Sequence, residues 1–210
     1  FTLTGSCVDP ADESQSIPIN LTLIKDQTLA LSQDVPIGWI CTVSETGLPA
    51  TSNADRYTWG TVQWSADPAL NLSVNGTSVT FEVPEIAASS QQTIIATNPI
   101  RTHNSQLLIT KTVTGQTDGL VAGSEFPINV DCGTDGPNGT YNVANGQTKT
   151  ITVPAGITCT VTEGVRPELK DASFAWGQVT YQNGTNTTTE PIEVYIGQTS
   201  ETVTVTNPIE

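Results

Sequence analysis

The sequence predicts an all-β protein built as two tandem β-sandwich repeats, and three observations carry that prediction. Charged residues make up 13% of the 210 residues, well below the ~25% of an ordinary soluble domain, while Thr, Ser, Asn, Gly and Val are abundant. Apolar and polar residues alternate regularly between polar turns, and no helix-period segment runs longer than a turn or two. The third observation is internal repetition, which sets the domain count before any local reading.

Residues 36–45 read Pro-Ile-Gly-Trp-Ile-Cys-Thr-Val-Ser-Glu, and residues 154–163 read Pro-Ala-Gly-Ile-Thr-Cys-Thr-Val-Thr-Glu. Pro follows four residues later in both, at Pro49 and Pro167, and Trp59-Gly60 answers Trp176-Gly177. Each half closes on Thr-Asn-Pro-Ile, at 97–100 and 206–209, and Phe1 with Cys7 corresponds to Phe126 with Cys132. The chain therefore divides into a repeat at 1–98, a short polar linker at 99–105 in which Pro99 ends the preceding strand, and a complete repeat at 106–210.

In the second repeat the strands follow in order. Leu107-Leu108-Ile109-Thr110-Lys111-Thr112-Val113 predicts a strand over 106–113, ahead of a Gly-rich turn at 114–123. A strand over 126–132 runs from Phe126 to Cys132. Strands over 139–144 and 147–153 flank Asn145-Gly146, a two-residue hairpin signal. The Cys-Thr-Val-Thr-Glu run marks 158–163, and alternation predicts the last strands over 173–181, 190–196 and 199–207. Such a set makes a sandwich of about a hundred residues. In the first repeat Leu21–Ile24 and Leu29–Leu31 flank the polar turn at Lys25-Asp26-Gln27. That repeat has no opening strand, because the counterpart of Lys111 would lie before Phe1. Phe1 follows neither Met nor a charged signal region, so the chain reads as an excerpt or a processed product.

Seven basic against 21 acidic residues leave a net charge of -14, which argues against nucleic acid and direct membrane contact as partners. No apolar run approaches the ~20 residues of a membrane span. A lone histidine, His103, no Ser–His–Asp set and no phosphate-binding Gly loop exclude turnover catalysis, and no cofactor is expected. The acidic loops at Asp9, Asp12 and Glu13 and at Asp131, Asp135 and Asn138 fit no EF-hand spacing and read as solvated turns. No C-x-x-C occurs, so no metal site is expected. Six N-x-[ST] sequons, at Asn20, Asn71, Asn75, Asn138, Asn183 and Asn186, follow from a Thr- and Asn-rich composition.

The cysteines fall two to a repeat in matching places, and four thiols allow three pairings. Cys7 with Cys41 and Cys132 with Cys159 is the favoured set, since each pair joins the end of one strand to the start of another. Disulfides imply an oxidising, extracellular setting. Two buried free thiols per repeat is the other reading.

Side chains alternate across a strand. Lys111 therefore shares a face with Leu107, Ile109 and Val113, Glu163 with Cys159 and Val161, and Asn207 with Val203 and Val205. Three polar groups on core faces are tolerable only if they meet, because isolated buried charges are costly. If they meet, a desolvated Lys111 amine can attack the Asn207 side-chain amide while Glu163 moves protons, leaving an isopeptide bond and free ammonia. The alternative places Lys111 toward solvent after a one-residue bulge, ends a strand at Glu163, and makes Asn207 the cap of an Asn-Pro turn.

The Lys111-Thr-Val-Thr-Gly115 opening, the Glu163-x-x-x-Pro167 box with its twin Glu45-x-x-x-Pro49, and the closing Val-Thr-Asn resemble the collagen-adhesin B-type (CnaB-like, transthyretin-like) repeat domains of Gram-positive surface adhesins and pilins. The resemblance implies CnaB-like or immunoglobulin-like sandwiches, with Lys111 as the amine, Glu163 as the catalytic acid, Asn207 as the acceptor, and Glu45 and Asn98 as their first-repeat counterparts. No Gly-Tyr follows either Pro, which departs from that family's fuller glutamate box. Together these features imply an extracellular, cell-surface or secreted stalk, adhesin or fibre repeat, at most self-crosslinking in a single turnover, whose partners are neighbouring copies or domains in an array. Two rival readings are a module that binds host glycan or protein through Trp39 and Trp64, which are particular to the first repeat, and a viral decoration or surface-layer protein.

Glu45 and Asn98 share inward parity with Val43 and Ala96, yet Lys25, in its polar turn, is that repeat's sole lysine. The first repeat is accordingly expected to be completed by a strand from outside residues 1–98, upstream of Phe1 or from a neighbour by strand addition, bringing a lysine to Asn98.

Overall fold

The structure, a computed structural model, describes residues 1–68, 70–85 and 91–210. Regular structure is β apart from two 3₁₀ turns at Thr117–Gly119 and Gly133–Asp135 among the described residues. Contacts gather the chain into two compact units: Phe1–Ser52 with Trp59–Arg101, and Asn53–Thr58 with Thr102–Glu210.

The strands of the first part of the chain are β1 (Thr2–Asp9), β2 (Asp12–Thr22), β3 (Ile40–Gly47), β4 (Tyr57–Trp59), β5 (Gln63–Asp67), β6 (Ser73–Asn75), β7 (Ser78–Glu82), β8 (Thr93–Thr97) and β9 (Ile100–Thr102). A five-stranded sheet runs β2-β1-β3-β7-β6, while β5 pairs with β8 and β4 with β9. Ile100–Thr102, within the stretch read from sequence as a linker, is thus a short strand. The register of β1 on β3 sets Cys7 opposite Cys41, and the two are bonded. The core they anchor holds Ile17, Ile19, Val43 and Val79, with Trp39, Trp64 and Ile94 packed against it.

The second unit contains β10 (Asn104–Gly115), β11 (Glu125–Asp131), β12 (Asn138–Ala144), β13 (Thr148–Pro154), β14 (Ile157–Glu163), β15 (Thr180–Asn183), β16 (Asn186–Thr188), β17 (Ile192–Ile196) and β18 (Glu201–Ile209). They form two sheets, β13-β10-β18-β15-β16 and β12-β11-β14-β17. The opening strand β10 lies parallel to the closing strand β18. Between the sheets lies an apolar core to which one contributes Leu107, Ile109, Val203 and Val205 and the other Phe126, Ile128, Val161 and Val194. Cys132 and Cys159 are bonded at its end. The shared Pro-x-Gly motif has a backbone reason: Gly38 and Gly156 have φ of 82° and 77°, a left-handed conformation that side chains with a Cβ rarely adopt.

Two further elements differ from the sequence expectation. Asn145-Gly146 does not close a hairpin, because β12 and β13 belong to different sheets. The turn is bound to β10 instead: Val113 N donates to Asn145 Oδ1 at 2.8 Å, Gly146 N donates to Lys111 O at 2.8 Å, and Lys111 N donates to Gln147 O at 3.0 Å. Those bonds hold the chain as it crosses from one sheet to the other. The strand expected over 173–181 begins only at Thr180. Before it, Ala175 N and Gly177 N donate to Glu210 O and Pro208 O, both at 2.9 Å, so this segment follows the chain end past an Asn-Pro pair and keeps no regular ladder.

Candidate functional site

Alternation along β10 and β18 turns Lys111, Val205 and Asn207 toward the core, and their parallel register sets Lys111 opposite Val205 and Asn207 opposite Val113. Glu163 ends β14 in the facing sheet, opposite Ile128 of β11. The three polar groups therefore come from both walls of the sandwich and meet between them. Lys111 and Asn207 are fully buried, and the Glu163 side chain is 2% exposed.

Asn207 Nδ2 donates to Glu163 Oε1 and to Oε2, both at 2.8 Å. Its Oδ1 is buried without a hydrogen-bond partner among the described residues, which leaves the amide carbonyl open at the heart of the site. Lys111 Nζ lies 3.5 Å from Glu163 Oε1 and donates to the carbonyls of Val205 and Thr112, both at 3.1 Å. It also sits 4.4 Å from the centre of the Phe126 ring. Burial is the leading cause that lowers the Lys111 pKa, to about 8, against the opposing pull of Glu163. About a tenth of this amine is consequently unprotonated at pH 7, rising to about half at pH 8.

Other side chains hold the glutamate, and sequence reasoning did not find them as a group. Arg166 Nε donates to Glu163 Oε2 at 3.1 Å and its Nη1 donates to Gly177 O at 2.8 Å. Glu163 N donates to the Tyr181 hydroxyl at 2.9 Å. Trp176 packs edge-on against Phe126 at 5.7 Å and its indole N–H donates to Pro167 O at 3.0 Å. Phe126, Trp176 and Pro167 had a signal, since each recurs in the other repeat. Arg166 had none, because Leu48 stands at its matching position.

The matching residues of the first unit repeat this frame. Asn98 Nδ2 donates to Glu45 Oε1 at 2.6 Å, Glu45 is buried, and Asn98 Oδ1 is buried without a hydrogen-bond partner among the described residues. Phe1 packs edge-on against Trp59 at 5.5 Å, whose indole N–H donates to Pro49 O at 2.7 Å. Lys25 is exposed and paired with Asp26.

Trp39 and Trp64 are half-buried and pack against the core of the first unit. Trp64 stands at the position matching Tyr181, five residues after Trp59 as Tyr181 is after Trp176. No exposed aromatic cluster forms from them. Among the described residues no group of three His, Cys, Asp or Glu side chains could hold a metal ion, and His103 hydrogen-bonds Thr58. Among the described residues no helix is long and apolar enough to cross a membrane.

No curated protein matches the chain by sequence. Among solved structures, the chain is similar to a bacterial adhesin from Mobiluncus mulieris containing intramolecular disulfide, isopeptide and ester bond cross-links, at 18% identity and a TM-score of 0.41, covering 100% of this chain and 84% of that one. It is also similar to the major pilin from Streptococcus pyogenes, at 11% identity and a TM-score of 0.38, covering 99% of this chain and 91% of that one. A third is the T3.2 major pilin protein of Streptococcus pyogenes, at 15% identity and a TM-score of 0.39, covering 83% and 69%. A single family accounts for both halves: residues 1–100 and again residues 107–210 match the one described as Domain of unknown function (DUF5979), and the chain belongs to that family.

Proposed function

We propose that this chain is a pair of CnaB-like repeats from an extracellular stalk or fibre, and that its second unit cross-links itself through an isopeptide bond between Lys111 and Asn207, promoted by Glu163. One observation carries the reading. The Glu163 carboxylate borders both nitrogens whose protons must change, 3.5 Å from Lys111 Nζ and 2.8 Å from Asn207 Nδ2.

The neutral Lys111 amine attacks Asn207 Cγ, and the new C–N bond forms as the carbonyl becomes tetrahedral. Glu163 accepts the proton lost by Nζ and returns it to Nδ2. The C–Nδ2 bond then breaks, and ammonia leaves. No oxidant or cofactor enters the balance, and the full burial of Lys111 and Asn207 keeps water from competing for the acyl carbon.

A bond from β10 to β18 joins strands that already lie side by side in parallel. Tension entering through the opening strand then leaves through the closing strand without unzipping the ladders between them. It also closes a loop of nearly a hundred residues, worth about 4–5 kcal/mol in the chain-entropy treatment. Trp39 and Trp64, packed against the core, give the glycan-binding reading no support.

Intact mass of the folded protein tests the proposal. The mass should fall one ammonia short of the sequence after allowance for the hydrogens lost in two disulfides, with one peptide linking Lys111 to Asn207, and Glu163→Ala should restore the full mass. Full mass in the wild type would refute it.

A further inference from the structure

The first unit repeats the glutamate, the asparagine and the aromatic pair of the second unit's frame, without the amine and with Leu48 and Trp64 where Arg166 and Tyr181 stand. Asn98 is bonded to Glu45, the Phe1–Trp59 pair stands where Phe126–Trp176 stands, and Gly60 N donates to Pro99 O as Gly177 N donates to Pro208 O. Its closing strand, however, is paired on one side only. β18 is flanked by β10 and β15, whereas β8 pairs with β5 alone among the described strands. Among the described residues the core is correspondingly thin, with six buried residues in its cluster against twenty in the second unit. An open strand edge is a surface that natural sheets rarely leave uncovered.

We propose that this edge receives a lysine-bearing β-strand from the stretch of the same polypeptide that runs into Phe1, parallel to β8, and that its lysine forms a second isopeptide bond, to Asn98. The proposal rests on the chemistry read for Lys111, Glu163 and Asn207. The register is set by the second unit, where Lys111 lies opposite Val205, two residues before Asn207. The incoming lysine accordingly lies opposite Ala96, two residues before Asn98. Its own face carries apolar residues at the spacing of Leu107, Ile109 and Val113.

The lysines of the chain decide the source. Lys25 is exposed and ion-paired, Lys149 and Lys170 belong to the second unit, and Lys111 is fully buried in its own site. A second copy could offer a lysine strand of this pattern only by emptying its own core. The upstream stretch has no such penalty, and Lys111 precedes Phe126 by 15 residues, so the donor lysine stands about 15 residues ahead of Phe1 on the repeat spacing. The step balances as before: the neutral amine attacks Asn98 Cγ, Glu45 carries the proton to Nδ2, and ammonia leaves.

The test extends the protein upstream through that strand and combines intact mass with peptide mapping. The expected result is a second ammonia lost and a peptide joining the upstream lysine to Asn98; Asn98→Ala should abolish that peptide and leave the Lys111–Asn207 peptide in place. In parallel, the 210-residue chain is incubated with a synthetic peptide of the Asn104–Gly115 sequence, which should add its mass less one ammonia at Asn98, whereas the same peptide carrying Lys111→Ala should add nothing. An unmodified Asn98 in an extended protein whose Asn207 is cross-linked would overturn this proposal alone. Both asparagines unmodified would overturn the underlying chemistry as well, and covalent ladders between chains on a denaturing gel would move the donor to another copy and overturn the source.

Discussion

Lys111 Nζ lies 4.4 Å from the centre of the Phe126 ring, so the amine is held against an aromatic face and shut away from water. Burial holds its pKa at about 8. The neutral fraction then falls about tenfold for each pH unit below that value. Cross-link formation, followed by mass when chemically synthesised chain that has never folded is diluted out of denaturant, should quicken about tenfold per unit up to pH 8 and level off above it. A rate that ignores pH would contradict a lysine nucleophile.

Arg166 adds a second positive charge beside Glu163 and is among the groups that lower the Lys111 pKa. Arg166→Leu, the residue at the matching position of the first repeat, should raise that pKa and move the midpoint of the rate profile to higher pH. Cross-linking should still reach completion. An unmoved midpoint would mean that Arg166 has no electrostatic part in the reaction.

Glu163→Ala removes the carboxylate and leaves Lys111 fully buried beside the Thr112 and Val205 carbonyls and the Phe126 ring, with its anionic partner gone. Breaking a buried pair in this way destabilises by about 3–5 kcal/mol, added to the loss of the cross-link. Combining Lys111→Met with Glu163→Gln forfeits the cross-link too, yet it buries no charge. The double variant should therefore be more stable than Glu163→Ala by about 3 kcal/mol in urea unfolding.

The disulfides are as buried as the core, with Cys7 and Cys159 fully inaccessible. A thiol reductant should leave the folded protein's cysteines closed to alkylation, and urea should open them. Opening the Cys132–Cys159 bridge, whose ends are 27 residues apart in sequence, should destabilise the second unit by about 3–4 kcal/mol in the chain-entropy treatment. Rapid alkylation without denaturant would show a bridge more exposed than its surroundings.

Much of this protein was legible in the residues alone. The two-residue period of a strand decides which side chains share a face, so Leu107, Ile109 and Lys111 could be assigned together before any strand had a neighbour. Repetition then carried the assignment to Glu45 and Asn98, and the paired positions of the cysteines came from the same source. These are local properties, set by backbone geometry and by order along the chain.

Neighbours were decided by the tertiary structure. Asn145-Gly146 has the chemistry of a hairpin, yet the turn's bonds to β10 carry the chain from one sheet to the other. Trp39 and Trp64 were legible as aromatics particular to one repeat, and only packing assigned them to the core. Arg166 and Tyr181 reach Glu163 from a loop and from a strand 18 residues away, contacts that leave no periodic trace. The parallel pairing of β10 with β18 joins residues nearly a hundred positions apart. Period fixes the face a side chain takes, but which faces meet depends on how two sheets bury their apolar sides together, and that is a property of the whole chain.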